Sequence, residues 1–259
     1  MVRREKNNYV IQSVSHALDV LEQFAGEHDE LGVTELSKRL KLHKNNVFRL
    51  LATLEARGYI EQNKATENYR LGVRCLRLGQ RFVSQLGILR QARPVMKQIA
   101  QASRETAFIA LLRNGSIVPL DAVEPEQAVR LVSRIGDPLP PHCTAVGKLL
   151  LAFADDELRN SLPDSLQKFT DKTITDRQVL SQQLSKIAEN SYALELGEYI
   201  EDVRSIAIAV RDYTGAVVGS VAIAGPAYRL SHERIEKEII PLMINAGRDL
   251  SSRLGFDAA

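Results

Sequence analysis

The stretch VTELSKRLKLHKNNVFRLLATLEARG, residues 33–58, decides how the first part of this chain is read. Leu36 and Leu40 fall on one face of a first helix, with Thr34 as a candidate cap near its start. Val47, Leu50, Leu51 and Leu54 make the inward stripe of a second helix, which Gly58 ends. Only Lys41–His43 separates the two, and so short a break suits a sharp helix-turn-helix. Residues 36–54 contain Lys38, Arg39, Lys41, Lys44 and Arg49 and no acid. The whole chain carries a net charge of +2, and residues 1–76 hold all of that excess, with 12 basic against 10 acidic side chains. A basic patch on an otherwise balanced chain points to a polyanionic partner.

Upstream, SVSHALDVLEQFAGE (13–27) repeats Val14, Ala17, Leu18, Leu21 and Phe24 at helical spacing, and Gly26 can close that helix. Downstream, YIEQ and NYRLG flank the polar NKATE, a hairpin pattern. Three helices and a hairpin describe a winged helix-turn-helix. The second helix of that motif enters the DNA major groove with its N-terminal residues on base edges. Those residues are His43, Lys44, Asn45, Asn46 and Arg49. Asn pairs with adenine, Arg with guanine, and Lys with guanine or phosphate. Lys64 and Arg70, in the hairpin, can reach neighbouring phosphates. The same fold also serves in protein docking, so a winged-helix interaction module stays open beside DNA reading.

Residues 73–91 read as a linker helix, with Leu76, Phe82, Leu86 and Leu89 apolar, and Pro94 suits the first turn of the next helix. The expected organisation is a DNA-binding domain over 1–72, the linker helix over 73–91 and a second domain over 92–259. In the second domain FIALLRNG, SIVPLDAVE, AVRLVSRIG, SIAIAVRD and AVVGSVAIAGP read as strands, with turn signals at 114–115 and 214–215. Helices are expected at 144–154, 155–161, 176–190 and 231–254, which makes an α+β domain with an antiparallel sheet.

No Gly-rich phosphate loop, metal-ligand pair or nucleophile elbow occurs, so neither a cofactor nor a metal is expected. Two cysteines, Cys75 and Cys143, are too few for a disulfide framework, and a cytoplasmic protein with reduced thiols is expected. No apolar run reaches the ~18 residues that span a bilayer, and MVRREKNNYV lacks the apolar segment of a secretory signal, so no membrane partner is expected. The stretch HCTAVGKLLLA (142–152) admits two readings. His142 and Cys143 suggest a Cys-dependent hydrolase, although adjacent side chains of an extended segment point to opposite faces. Alternatively, Thr144–Val146 open a helix whose free amides hold an anion.

LSKRLKLHKNNVFRLLATLEARGYIEQ…NYRLG, HCTAVGKLLLA and EYIEDVRSIAIAVRDYTGAVVGSVAIAGP, in this order, together resemble the IclR family of bacterial transcription regulators over about residues 10–256. The resemblance implies a winged helix, a linker helix and a GAF-like α/β effector domain. It also implies a homodimer or homotetramer on a double-stranded DNA operator, and a small-molecule effector that bears a carboxylate. The family's effector positions fall here on Val129, Leu131, Ala145, Val146, Glu195, Ser205, Ala222 and Ala224. Four depart from the family's usual residues: Glu195 stands for Asp, Ser205 for Cys, and Ala222 and Ala224 for Ser; Asp202 stands where Gly is frequent. These changes imply an anionic end at Ala145–Val146 and an apolar ligand body near Leu131, Ala222 and Ala224. The alternative is that the two alanines pack core.

Overall fold

The computed structural model describes residues 10–26, 29–85, 87–113 and 115–256, apart from the side chains at 80 and 82–85. The chain forms two compact units that divide between residues 85 and 86.

The first unit packs α1 (Gln12–Glu22), α2 (Val33–Leu40) and α3 (Lys44–Ala56) beside a hairpin of β1 (Ile60–Gln62) and β2 (Tyr69–Leu71). Val20, Phe24, Leu36, Val47, Leu51, Leu54, Ile60 and Tyr69 make its core. Helix α1 turns inward three of the five residues its spacing suggested, Ala17, Leu21 and Phe24, and adds Val20. Ala17, Val20, Leu21 and Phe24 face the core, whereas Val14 and Leu18 are exposed together with Val10 and Ile11. Thr34 lies inside α2, whose N-cap is Gly32. Gly58 ends α3 as expected: at φ +72° it lets Tyr59 N–H reach the Leu54 carbonyl at 3.0 Å, the wrap that satisfies terminal helix carbonyls. Helix α4 (Val73–Gln85) closes this unit.

The second unit opens with α5 (Gly87–Ser103), so the helix expected over 73–91 falls on α4 and the start of α5. Residue 86, between them, lies outside the described residues. Pro94 does not open a helix but sits inside α5, where it forgoes one backbone donor. Five antiparallel strands follow: β3 (Thr106–Arg113), β4 (Ser116–Val123), β5 (Tyr192–Leu196), β6 (Val203–Arg211) and β7 (Val217–Pro226), in spatial order β4-β3-β7-β6-β5. The turn expected at 114–115 falls partly on residue 114, outside the described residues.

The strands alternate by period two, and the two sheet faces differ in side-chain size. Ile109, Ile206, Ile208, Val210, Val221 and Ile223 pack against α5 and the C-terminal helix α10 (Ile240–Arg253), which a short helix α9 (His232–Arg234) and a π turn precede. Ala110, Ala207, Ala209, Ala222 and Ala224 face α6 (Ala145–Ala152) and α8 (Arg177–Asn190). The alanines make room for α6, all eight residues of which are buried. A short helix α7 (Asp156–Asn160) links α6 towards α8.

Two expectations for the sheet are corrected. AVRLVSRIG is not a strand: residues 128–136 run irregularly, held where Thr106 Oγ1 donates to the Leu131 carbonyl at 2.5 Å. The fifth strand is instead β5, a five-residue edge strand paired with β6, which was not among the expected strands.

Candidate nucleic-acid interface and ligand cavity

In the first unit, His43 is the N-cap of α3 and makes no side-chain cap; its carbonyl takes the Asn46 amide at 2.9 Å, and the Lys44 and Asn45 amides have no acceptor within the helix. His43, Lys44, Asn45, Asn46 and Arg49 are all exposed. Phe48, to which the sequence pattern assigned no role, lies among them at 56% exposure. Its place one turn after Lys44 gives this face an apolar contact of the kind that fits a thymine methyl. The hairpin brings Lys64 to an exposed position in its turn. Arg70 is exposed too, but its guanidinium lies 3.3 Å from Glu61 across the hairpin. Glu30 clamps the turn by accepting from Asn63 Nδ2 and Thr66 Oγ1, both at 2.8 Å. Those two bonds hold its carboxyl below the usual range.

In the second unit, α6 starts beside a cavity of about 500 Å³. Thr144 caps the helix: its hydroxyl accepts from Gly147 N–H at 3.1 Å and donates to the Pro140 carbonyl at 2.8 Å. Gly147 is required there, because a Cβ would lie 2.6 Å from the Pro141 carbonyl oxygen. The amides of Ala145 and Val146 have no acceptor within the helix, and both residues line the cavity. Apolar walls include Phe108, Leu131, Leu139, Ile200 and Ala224, and polar ones Ser133, Arg134, Asp137, Glu195, Ser205 and Tyr199.

Six of the eight expected effector positions thus meet in one cavity: Leu131, Ala145, Val146, Glu195, Ser205 and Ala224. Two do not. Val129 is 59% exposed, because its segment is irregular rather than a strand. Ala222 is fully buried between Phe108 and Ala207 in the layer beneath α6, so the core-packing alternative describes it. Phe108, Tyr199 and Ile200 were missed in the sequence. The first reads as any core strand residue, and the other two sit on a turn that only the fold brings to the cavity.

Glu195 is buried, and burial pushes its carboxyl up against hydrogen bonds from the Tyr199 and Glu198 amides and the Ser205 hydroxyl, while the neighbouring Glu198 adds to the rise. Lys148, wholly buried on α6, meets Glu198 Oε1 at 2.5 Å. His142 and Cys143 are engaged separately. His142 Nε2 bonds the Gln167 carbonyl at 2.8 Å, and the fully buried Cys143 thiol is pushed up to about 12, by burial first and then by Glu198 and Glu195.

The sequence profile described as "Bacterial transcriptional regulator IclR C-terminal" matches residues 80–252, and that of the "IclR helix-turn-helix domain" matches 13–64. The chain belongs to the IclR family. The regulator KdgR of Escherichia coli K12 is 34% identical over 94% of each chain. A crystal structure of an IclR regulator from Silicibacter sp. TM1040 is 26% identical, with a TM-score of 0.81 over 95% of this chain and 98% of its own. An IclR homologue from Microbacterium hydrocarbonoxydans, solved with 4-hydroxybenzoate, shares the fold at 23% identity and a TM-score of 0.83, over 93% and 98% of the two chains. As an IclR-family member, the chain is a DNA-binding transcriptional regulator with a C-terminal effector domain. Among its described residues, no helix is long and apolar enough to cross a membrane.

Proposed function

We propose that this IclR regulator reads its operator with Lys44, Asn45, Asn46, Phe48 and Arg49 of α3, anchors through His43 and Lys64, and binds an anionic effector at the Ala145 and Val146 amides. The exposure of the α3 residues and the open first turn support base reading and phosphate anchoring. Arg70 is assigned the weaker phosphate role, since Glu61 already holds it. The exposed stripe Val10, Ile11, Val14 and Leu18 supports pairing with a second copy, because apolar residues contiguous on one helix face are seldom left to water. The DNA-binding domain takes residues 1–72 with α4 as the linker helix, the effector domain begins with α5 rather than at residue 92, and the regulator works in the cytoplasm, where the chromosome lies.

The observation that carries the effector reading is the α6 amide pair opening onto an apolar-walled cavity. A carboxylate there is favoured by the free N–H groups and the helix dipole. A flat apolar body fits against Phe108, Leu131 and Ala224, in keeping with the ligand of the Microbacterium homologue. The bound effector shifts the regulator between two states of different operator affinity, by its differential affinity for them.

Ala145→Pro tests this reading directly. It deletes one amide donor at the first helical position, where proline is tolerated and where extended Thr144 already suits a following proline. Benzoate, 4-hydroxybenzoate, pyruvate and glyoxylate are titrated while melting is followed. At least one aromatic acid should raise Tm in the wild type and none in the variant. A carboxylate-induced shift that persists in Ala145→Pro, with helicity unchanged, would refute the amide site. The same regulator acts without Cys143 chemistry: a thiol held near 12 is only about one part in ten thousand thiolate at pH 8. Iodoacetamide should therefore label Cys143 in the unfolded chain and spare it in the native one; rapid native labelling would reopen the hydrolase reading.

A further inference from the structure

The family resemblance places Glu195 among the effector contacts, yet its carboxylate is already engaged. Oε1 accepts three backbone amides, from Gly197 at 2.9 Å, Glu198 at 2.7 Å and Tyr199 at 3.3 Å. Oε2 accepts the Ser205 hydroxyl at 3.0 Å. The tight turn so gripped carries Tyr199 and Ile200, both of which line the cavity. It is held from two further sides. Thr170 Oγ1 donates to the Gly197 carbonyl at 2.7 Å, and Thr173 Oγ1 to the Glu198 carbonyl at 2.7 Å. Lys148 reaches the Glu198 side chain from α6. Gly197 is at φ +88°, and a Cβ there would lie 2.6 Å from the Glu201 carbonyl oxygen, so the turn has little room to relax. Finally, the Tyr199 ring meets Phe169 edge-on at 5.0 Å, and Phe169 in turn lies 5.9 Å from the buried His142 ring.

We infer that Glu195 is a positioning residue, which fixes the 197–199 turn so that Tyr199 stands as a rigid aromatic wall of the cavity, and that Tyr199 sets the selectivity of this chain for a flat ligand body. The inference rests on the cavity being the effector site. The length of Glu195 explains its role: a shorter aspartate would have to give up either the turn amides or Ser205. An isosteric amide keeps the function, because its oxygen still accepts the amides while its NH2 donates to Ser205. Tyr199 makes no hydrogen bond through its hydroxyl among the described residues, so ring and phenol are both free to meet a ligand.

Two probes share an anionic head and differ in body: benzoate, which is flat, and cyclohexanecarboxylate, which is puckered. Titration calorimetry with the full chain should favour benzoate by about fivefold, the scale of one aromatic contact. Tyr199→Leu should abolish the preference while leaving cyclohexanecarboxylate affinity within about twofold. Glu195→Ala should abolish it too and, without any ligand present, speed amide exchange at 197–199 at least tenfold. Glu195→Gln should retain both, and Glu195→Asp, offered in case the alanine variant folds poorly, should lose part of each. If exchange at 197–199 rises in Glu195→Ala but the preference survives, the positioning role falls. If the wild type binds both probes equally, the role of Tyr199 falls and the cavity reading stands. If neither probe binds at millimolar concentration, the carboxylate reading of the cavity falls with it.

Discussion

Helices α3 and α6 each begin one of the two proposed sites, and they do so in opposite ways. Helix α3 starts without a side-chain cap and shows water the side chains of His43, Lys44, Asn45, Phe48 and Arg49. Helix α6 starts with a Thr144 cap, buries all eight of its residues and shows its cavity two main-chain amides. On the function proposed above, one site recognises by what its residues are, the other by where its backbone is. The difference predicts that substitutions in α3 alter recognition with little cost in stability, whereas substitutions around α6 alter stability first.

The largest expected effect tests the α6 side of that contrast. Lys148→Met leaves Glu198 buried and charged without its partner, and should cost about 3–5 kcal/mol in a denaturant titration. Lys148→Met combined with Glu198→Met should regain most of the loss; if the double variant is as unstable as the single one, the pair is not what holds α6 to the turn. Next, Gly147→Ala forces a Cβ against Pro141 and the Thr144 hydroxyl and should cost roughly 1–3 kcal/mol, the usual penalty of overpacking. A neutral Gly147→Ala would show that the Pro140–Pro141 segment is looser than its close approach implies.

On the α3 side, Arg49→Ala should weaken operator binding by roughly 1–3 kcal/mol and relax sequence preference at one base pair, with Tm nearly unchanged. Lys64→Ala should weaken all duplexes alike and reduce the salt slope by about one. Equal affinity of the wild type for every duplex, unaltered by Arg49→Ala, would favour the protein-docking use of the winged helix. The smallest effect concerns the hairpin. The Glu30 carboxyl is held below its ordinary value by Asn63 and Thr66, so its grip on the turn is complete above the ordinary value and lost as pH falls through the lowered one. Amide exchange at 63–68, corrected for intrinsic rate, should rise only in that acidic window; Glu30→Gln should flatten the response.

Legibility followed the same division. The winged helix was readable because its elements are local, with helical spacing in 44–58 and a hairpin around NKATE, each carrying its own signal. Helix α1 was placed correctly and Ala17, Leu21 and Phe24 face the core as expected, but Val14 and Leu18 do not and Val20 does, since Val14 and Leu18 satisfy the same spacing as Val20 and Phe24. Residues 128–136 alternate like a strand and are none, because a strand needs a continuous partner, and β4 offers this stretch one bond, from Gly136 N–H to the Pro119 carbonyl, before the isolated Ile117–Leu139 bridge. Tyr199 and Ile200 carried no signal at all.

By itself, the sequence determined the elements of the winged helix, the basic recognition helix and the helix start at Thr144–Val146, because short-range periodicity, capping and charge are written into adjacent residues. Tertiary structure alone decided which alanine reaches the cavity and which supports α6, that Glu195 serves a turn, and that Lys148 meets Glu198 fifty positions along the chain. Those outcomes depend on strand register and on charges sharing a buried space, and neither has a counterpart in the local order of residues.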